Sequence, residues 1–204
     1  MKKIDKFITE YIIKKKLDTP IDSEHKYYPN SKEELIKNIQ ELISNKIYDF
    51  NCIDTSEITD MSNLFDDISV RRNFNVSKWN VSNVKYINCI FNGCKYFDCD
   101  LSKWDVSNVE NMLGTFSRCE NFNGSVSGWN VSKIKDMMAV FYGCNNFTGN
   151  GLETWDVSNV EDMQFMFYDC KNLNCDLSKW NVSNVADMDS MFNNVKSEPN
   201  WYKY

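Results

Sequence analysis

The chain has 204 residues and a formal charge of −6, with a pI near 4.9. Its basic residues are scattered, so the clustered positive charge expected of a nucleic-acid binder is missing. No run of about 18 apolar residues occurs, which excludes a transmembrane helix.

In chain order, Ile4, Phe7, Ile8, Tyr11 and Ile12 recur at helical spacing and predict an amphipathic helix within residues 1–17. Asp5, Lys6, Glu10 and Lys14 to Lys16 interrupt any apolar stretch there, so no signal peptide is read. Residues 18–30, with Pro20, Pro29 and the only histidine, His25, read as a linker. Residues 31–52 read as a helical cap. Ser31 and Glu34 form a capping box, and the helix they open would bury Leu35, Ile36, Ile39, Leu42 and Ile43.

Residues 53–195 read as a repeat array with one degenerate and five clear units. Trp79, Trp104, Trp129, Trp155 and Trp180 open near copies at intervals of 25, 25, 26 and 25 residues. Self-similarity at such a period marks a solenoid, in which each unit buries its apolar face against its neighbours. Val109, Met112, Phe116 and Cys119 stand at i, i+3, i+7 and i+10, predicting a short helix in each unit. Ser82, Ser107, Ser132, Ser158 and Ser183 are read as its N-caps, supported by Glu110 and Glu161. The alternation in Phe97-Asp-Cys-Asp-Leu101 and Leu173-Asn-Cys-Asp-Leu177 predicts short strands, which must stack in parallel because a helix intervenes. Gly149-Asn150-Gly151 looks like a bulge, and Asp66 to Asn73 like an inserted loop. Residues 196–204 would cover the final edge.

The tryptophans predict a buried ladder at the corner between strand and helix; carbohydrate recognition would instead require exposed indoles. Cys94, Cys119, Cys144 and Cys170 occupy one position in successive units and read as packed thiols. No catalytic residues, cofactor site or metal site are read: Cys89, Cys94 and Cys99 lack zinc-knuckle spacing, and no phosphate loop or nucleophile elbow occurs. The chain is therefore expected not to be an enzyme. If alternate residues point inward, Asp98, Asp100, Ser102, Asn123, Ser125, Asn174, Asp176 and Ser178 tile one polar, mildly acidic face, the concave one, and are the candidates for binding a partner protein. Nothing in the sequence sets the partner's identity or an oligomeric state.

Trp-Asp/Asn-Val-Ser-Asn-Val followed by Met and Phe-x-x-Cys, with Phe-Asn-x-Asp-Leu-Ser returning to Trp, resembles the BspA-like leucine-rich-repeat surface proteins of bacteria. The likeness is to their 25-residue variant in mycoplasmas and spirochaetes and covers about residues 47 to 195. It implies an α/β fold, a right-handed leucine-rich-repeat-like solenoid of short helices and short parallel strands behind an α-helical N-terminal cap. It also implies no catalysis, and protein binding in adhesion or host interaction at the cell surface. The thiol content suits a reducing or anaerobic setting and an alternative role as an intracellular scaffold or immunity-type binding protein.

Overall fold

The computed structural model describes residues 25–66, 68 and 70–203. The helix expected over residues 1–17 lies outside them, as do residues 18–24 of the expected linker. From residue 26 the chain is already paired with the array: the amides of Lys26 and Tyr27 donate to the Cys52 carbonyl, and Asp54 donates to Tyr27.

Helix α1 (Lys32–Ser44) begins where the capping residues place it. Ser31 Oγ accepts the Glu34 amide at 3.2 Å. The Glu34 carboxylate, expected to serve the amide of Ser31, instead accepts that of Asn30 at 2.8 Å, one residue earlier. Leu35, Ile39 and Leu42 are buried, while Ile36 and Ile43 pack partly against the core. The helix ends in a left-handed Lys46 (φ 61). Its amide returns to Ile43 and that of Ile47 to Leu42, satisfying carbonyls that the last turn leaves open.

The expected α/β solenoid, leucine-rich-repeat-like with a short helix and a short parallel strand in every unit, is not what forms. Among the described residues α1 is the only α-helix, joined by one 3-10 turn at Leu152–Thr154. No sheet is present among the described residues; neighbouring units meet in isolated parallel bridges such as Asp60 to Tyr86, Tyr86 to Asn111 and Asp162 to Asp187. Two left-handed residues per unit break the helix predicted over Val109 to Cys119. Gly114 (φ 60) and Arg118 (φ 60) are followed by Ala139 (φ 55) and Gly143 (φ 72), and then by Phe165 (φ 54) and Asp169 (φ 60). A right-handed helix cannot pass through such residues.

The backbone of this segment is a chain of tight turns. Thr115 donates to Met112, Ser117 to Gly114 and Cys119 to Phe116, while the alternate amides of Gly114, Phe116 and Arg118 reach Met138, Val140 and Tyr142 of the next unit. The predicted N-cap serines belong to Asx turns instead: the amides of Ser82, Ser107, Ser132, Ser158 and Ser183 donate to the Asp or Asn two residues earlier. Glu110 and Glu161 pair with Lys85 and Lys135 of the preceding unit rather than capping anything.

The segment Phe97 to Leu101 also fails to become a strand, because a side chain takes part in its pairing: the Asp98 amide donates to Asn73 Oδ1. One unit on, Gly124 sits so close to its neighbour that an added Cβ would lie 1.9 Å from the Cys99 carbonyl oxygen, so only glycine fits.

Like residues stack on like through the core. Phe91, Phe116, Phe141 and Phe167 form a ladder with ring centroids 5.5, 5.4 and 5.8 Å apart. Phe97, Phe122 and Phe147 form a second ladder beside it. Each such pair contributes roughly 0.5–1.5 kcal/mol beyond the area it buries. Thiol groups fill the remaining interior: Cys119, Cys144 and Cys170 donate to the carbonyls of Phe91, Phe116 and Phe141 one unit back.

Candidate functional site

The expected acidic face divides into two sets of side chains with different bonds. Phe97, Cys99 and Leu101 are buried while Asp98 and Asp100 are exposed, so the alternation of side chains survives even though the strand does not. In the first set, Asp98 Oδ1 accepts the Asn123 amide at 3.0 Å. Asn123 Oδ1 in turn accepts the amide and hydroxyl of Thr148 at 3.0 and 2.8 Å, and the Asn174 amide donates to the Thr148 carbonyl. The side chains of Asp98 and Asn123 and the backbone of Asn174 thus tie one unit to the next.

The second set closes turns within a unit. Asp100 Oδ1 accepts the Ser102 amide, and Asp176 Oδ1 the Ser178 amide, each at 2.9 Å. Ser125 Oγ takes the Ser127 amide at 3.2 Å in the same role. Hydrogen bonds from Ser102, through its amide and hydroxyl, hold Asp100 below the usual carboxylate range, and Ser178 does the same for Asp176. Both therefore stay ionised at neutral pH. The structure joins Asp98 to Asn123 directly and reaches Asn174 through Thr148, just ahead of the irregular turn where Gly149 (φ 91) and Gly151 (φ 101) are left-handed.

A second polar strip runs past the Asx turns. The side-chain Nδ2 groups of Asn83, Asn108, Asn159 and Asn184 donate to serine carbonyls one unit back. Lys133 replaces asparagine in this series and reaches Asn108 Oδ1 at 3.2 Å. With the Lys85–Glu110 and Lys135–Glu161 pairs, this strip is largely self-satisfied.

The turn edge holds residues that the pattern reading passed over. Arg71, Lys95, Tyr96 and Arg118 line a cleft of about 420 Å³ that also includes Phe65, Ile68, Cys94 and Asp66. One unit beyond, Tyr142 and Tyr168 stack at 5.1 Å, with Phe165 at 6.2 Å from Tyr168. Their signal in the sequence was departure from the repeat: where Arg118 stands, other units have Gly93, Gly143, Asp169 and Asn194.

The indoles are not available to a sugar. Trp79, Trp104, Trp129, Trp155 and Trp180 are 2–6% exposed, and each Nε1 donates to a carbonyl of the preceding unit. Trp201 extends the ladder, stacking 6.4 Å from Trp180 and bonded to the Leu177 carbonyl. Burial pushes the Cys94 thiol up to about 12 and raises Cys119 and Cys144 well above the ordinary thiol value, so these sulfurs are poor nucleophiles. Among the described residues no group of three or more His, Cys, Asp or Glu side chains could hold a metal ion, and no helix is long and apolar enough to cross a membrane.

No curated protein and no solved structure matches the chain. A family model does, over residues 33–150 and again over 115–200, and its description is "Mycoplasma protein of unknown function, DUF285". Together the two matches take in all of α1 but its first residue, all the tryptophans from Trp79 to Trp180 and the acidic face, and the chain belongs to this bacterial family, the BspA-like repeat family.

Proposed function

We propose that the chain is a non-enzymatic protein-interaction module of the 25-residue BspA-like repeat variant, serving adhesion or host interaction through its acidic face. One observation carries this reading: the charges on that face exceed what the fold needs. Asn73 and Asn123 bridge units as Asp98 does, and Asn75 closes the turn to Ser77 that Asp100 closes to Ser102. A neutral amide suffices for the structure, which leaves the carboxylates of Asp98, Asp100 and Asp176 as features of the surface. An intracellular scaffold is the second reading, favoured by eight free cysteines, since unpaired thiols persist in reducing surroundings.

The test keeps every structural hydrogen bond and removes only charge. The triple variant Asp98→Asn, Asp100→Asn, Asp176→Asn and the unaltered chain are applied to an array of lysine- and arginine-bearing peptides and their glutamine counterparts. The unaltered chain should bind basic peptides in a salt-sensitive way, and the variant about tenfold more weakly at the same Tm. Equal binding by both chains, or none by either, would remove the acidic face as an interaction surface.

A further inference from the structure

In a stacked repeat most positions are dictated by the neighbours above and below, so a residue that breaks its series is one the fold does not require. Such residues gather on the turn edge. Tyr96 stands where other units have Asn121, Asn146 and Asn172, and Tyr142 and Tyr168 where others have Asn92, Ser117 and Asn193. Phe165 replaces Asn63, Cys89, Gly114, Ala139 and Ser190. Arg118 and Phe165 hold these places at φ 60 and 54, left-handed backbone that bulky side chains avoid. Phe165 stays partly exposed despite that strain. Arg118 carries its strain on an exposed side chain, and local strain kept without a packing return points to function.

These residues form one strip. Arg118 lines the cleft with Arg71, Lys95 and Tyr96, and its amide donates to the Tyr142 carbonyl at 2.6 Å. Tyr142 stacks on Tyr168, which touches Phe165. The chain has three arginines, and two of them line this one cleft of a molecule with charge −6. The third, Arg72, lies over the Tyr48 ring at 4.7 Å. Lys95 is engaged by Glu120 at 2.9 Å, and Asp66 lines the same cleft, so the two guanidinium groups are the charges offered to a ligand.

We propose that this edge docks an extended acidic peptide of a partner protein. Its carboxylates pair with Arg118 and Arg71, whose planar forks match carboxylate geometry. An apolar side chain of the same peptide packs on Tyr142, Phe165 and Tyr168, since aromatic and arginine side chains are the usual anchors of protein interfaces. Charge complementarity selects this occupant, because the strip combines a local excess of guanidinium with adjoining half-buried rings in an otherwise acidic chain. The surface shares no residue with the acidic face and does not depend on its role.

Fluorescence anisotropy of the full chain with a labelled peptide of alternating glutamate and phenylalanine tests the proposal, with glutamine in place of glutamate as control. Arg118→Gly and Phe165→Gly insert the residue other units already carry at these left-handed positions, Gly93 and Gly114, so Tm should hold or rise. Each should nevertheless weaken binding of the glutamate peptide about tenfold, and the glutamine peptide should bind more weakly by a similar factor. The triple asparagine variant of the acidic face should bind the glutamate peptide unchanged. Undiminished binding by Arg118→Gly, equal binding of the two peptides, no binding by the unaltered chain, or preference for a sulfated oligosaccharide over the glutamate peptide would each overturn it.

Discussion

Helix α1 and the segment Val109 to Cys119 carry nearly the same apolar spacing and fold differently. Leu35, Ile39 and Leu42 face the core from α1, and Val109, Met112, Phe116 and Cys119 are buried to the same degree. In α1 the amides bond within the helix, and Glu, Lys, Gln and Leu, which lose little on becoming helical, supply much of the sequence. In the repeat, Asn111, Gly114 and Ser117 favour turns, and a unit on each side offers carbonyls to the alternate amides. Apolar spacing therefore reports which side of the chain meets the core. Competition for the backbone amides decides the conformation.

The largest test of this contrast removes a core side chain from each region. Phe116 touches the rings of Phe91, Phe122, Trp129 and Phe141, so Phe116→Ala interrupts a ladder from both sides and should cost about 3–5 kcal/mol. Ile39→Ala empties one site under the cap and should cost about 2–5 kcal/mol, toward the lower end because α1 bounds the array on one side only. Urea unfolding measures both. A smaller loss for Phe116→Ala than for Ile39→Ala would mean that the ring ladder is not what joins the units.

Gly114→Ala discriminates by sign. In the interior of a helix the change would stabilise by about 1 kcal/mol. At φ 60, with an added Cβ 3.1 Å from Cys89 Sγ, it should instead destabilise by about 1–2 kcal/mol. A rise in the urea midpoint would restore the helical reading of the repeat.

The period, the buried faces and the cap were legible because each depends on side-chain type alone. The tryptophan interval, the thiol series and the alternation at Phe97, Cys99 and Leu101 all appear in the burial of the structure. What the sequence did not disclose was the destination of backbone amides. A spacing of three, four and three residues fits an α-helix, yet here it arises from successive three-residue turns, and left-handed positions occupied by Cys89, Arg118, Ala139 and Phe165 carry no glycine to announce them. The same blindness affected the candidate face. Asp98 and Asn123 could be placed at the surface by alternation, but not assigned a bond between units, because that bond is to an amide 25 residues away. The arginine and tyrosine edge was visible only as departures from the repeat, which a search for pattern discards.

The smallest effects separate a helix cap from an Asx turn. Ser31 caps α1 through its hydroxyl, and Ser31→Ala should cost about 1 kcal/mol. Ser107 gives Asp105 its amide at 3.1 Å and its hydroxyl; alanine keeps the amide bond and loses only the solvent-exposed hydroxyl bond, so Ser107→Ala should stay within about 0.5 kcal/mol, while Asp105→Ala should cost about 1 kcal/mol by leaving that amide without its acceptor. The charge adds a pH signature. Hydrogen bonds from Ser107 and Ser158 hold the carboxyl groups of Asp105 and Asp156 below the ordinary range. A carboxylate with a depressed folded pKa stabilises the fold above the unfolded value, roughly 3.9, and that contribution disappears as pH falls through the lower folded value. Asn80, Asn130 and Asn181 close the same turn without a charge. Asp105→Asn with Asp156→Asn should therefore match the unaltered chain at pH 7 and lose less stability as pH falls below about 4. An equally steep acid loss in the double variant would place the pH dependence in other carboxylates and leave these turns held by geometry alone.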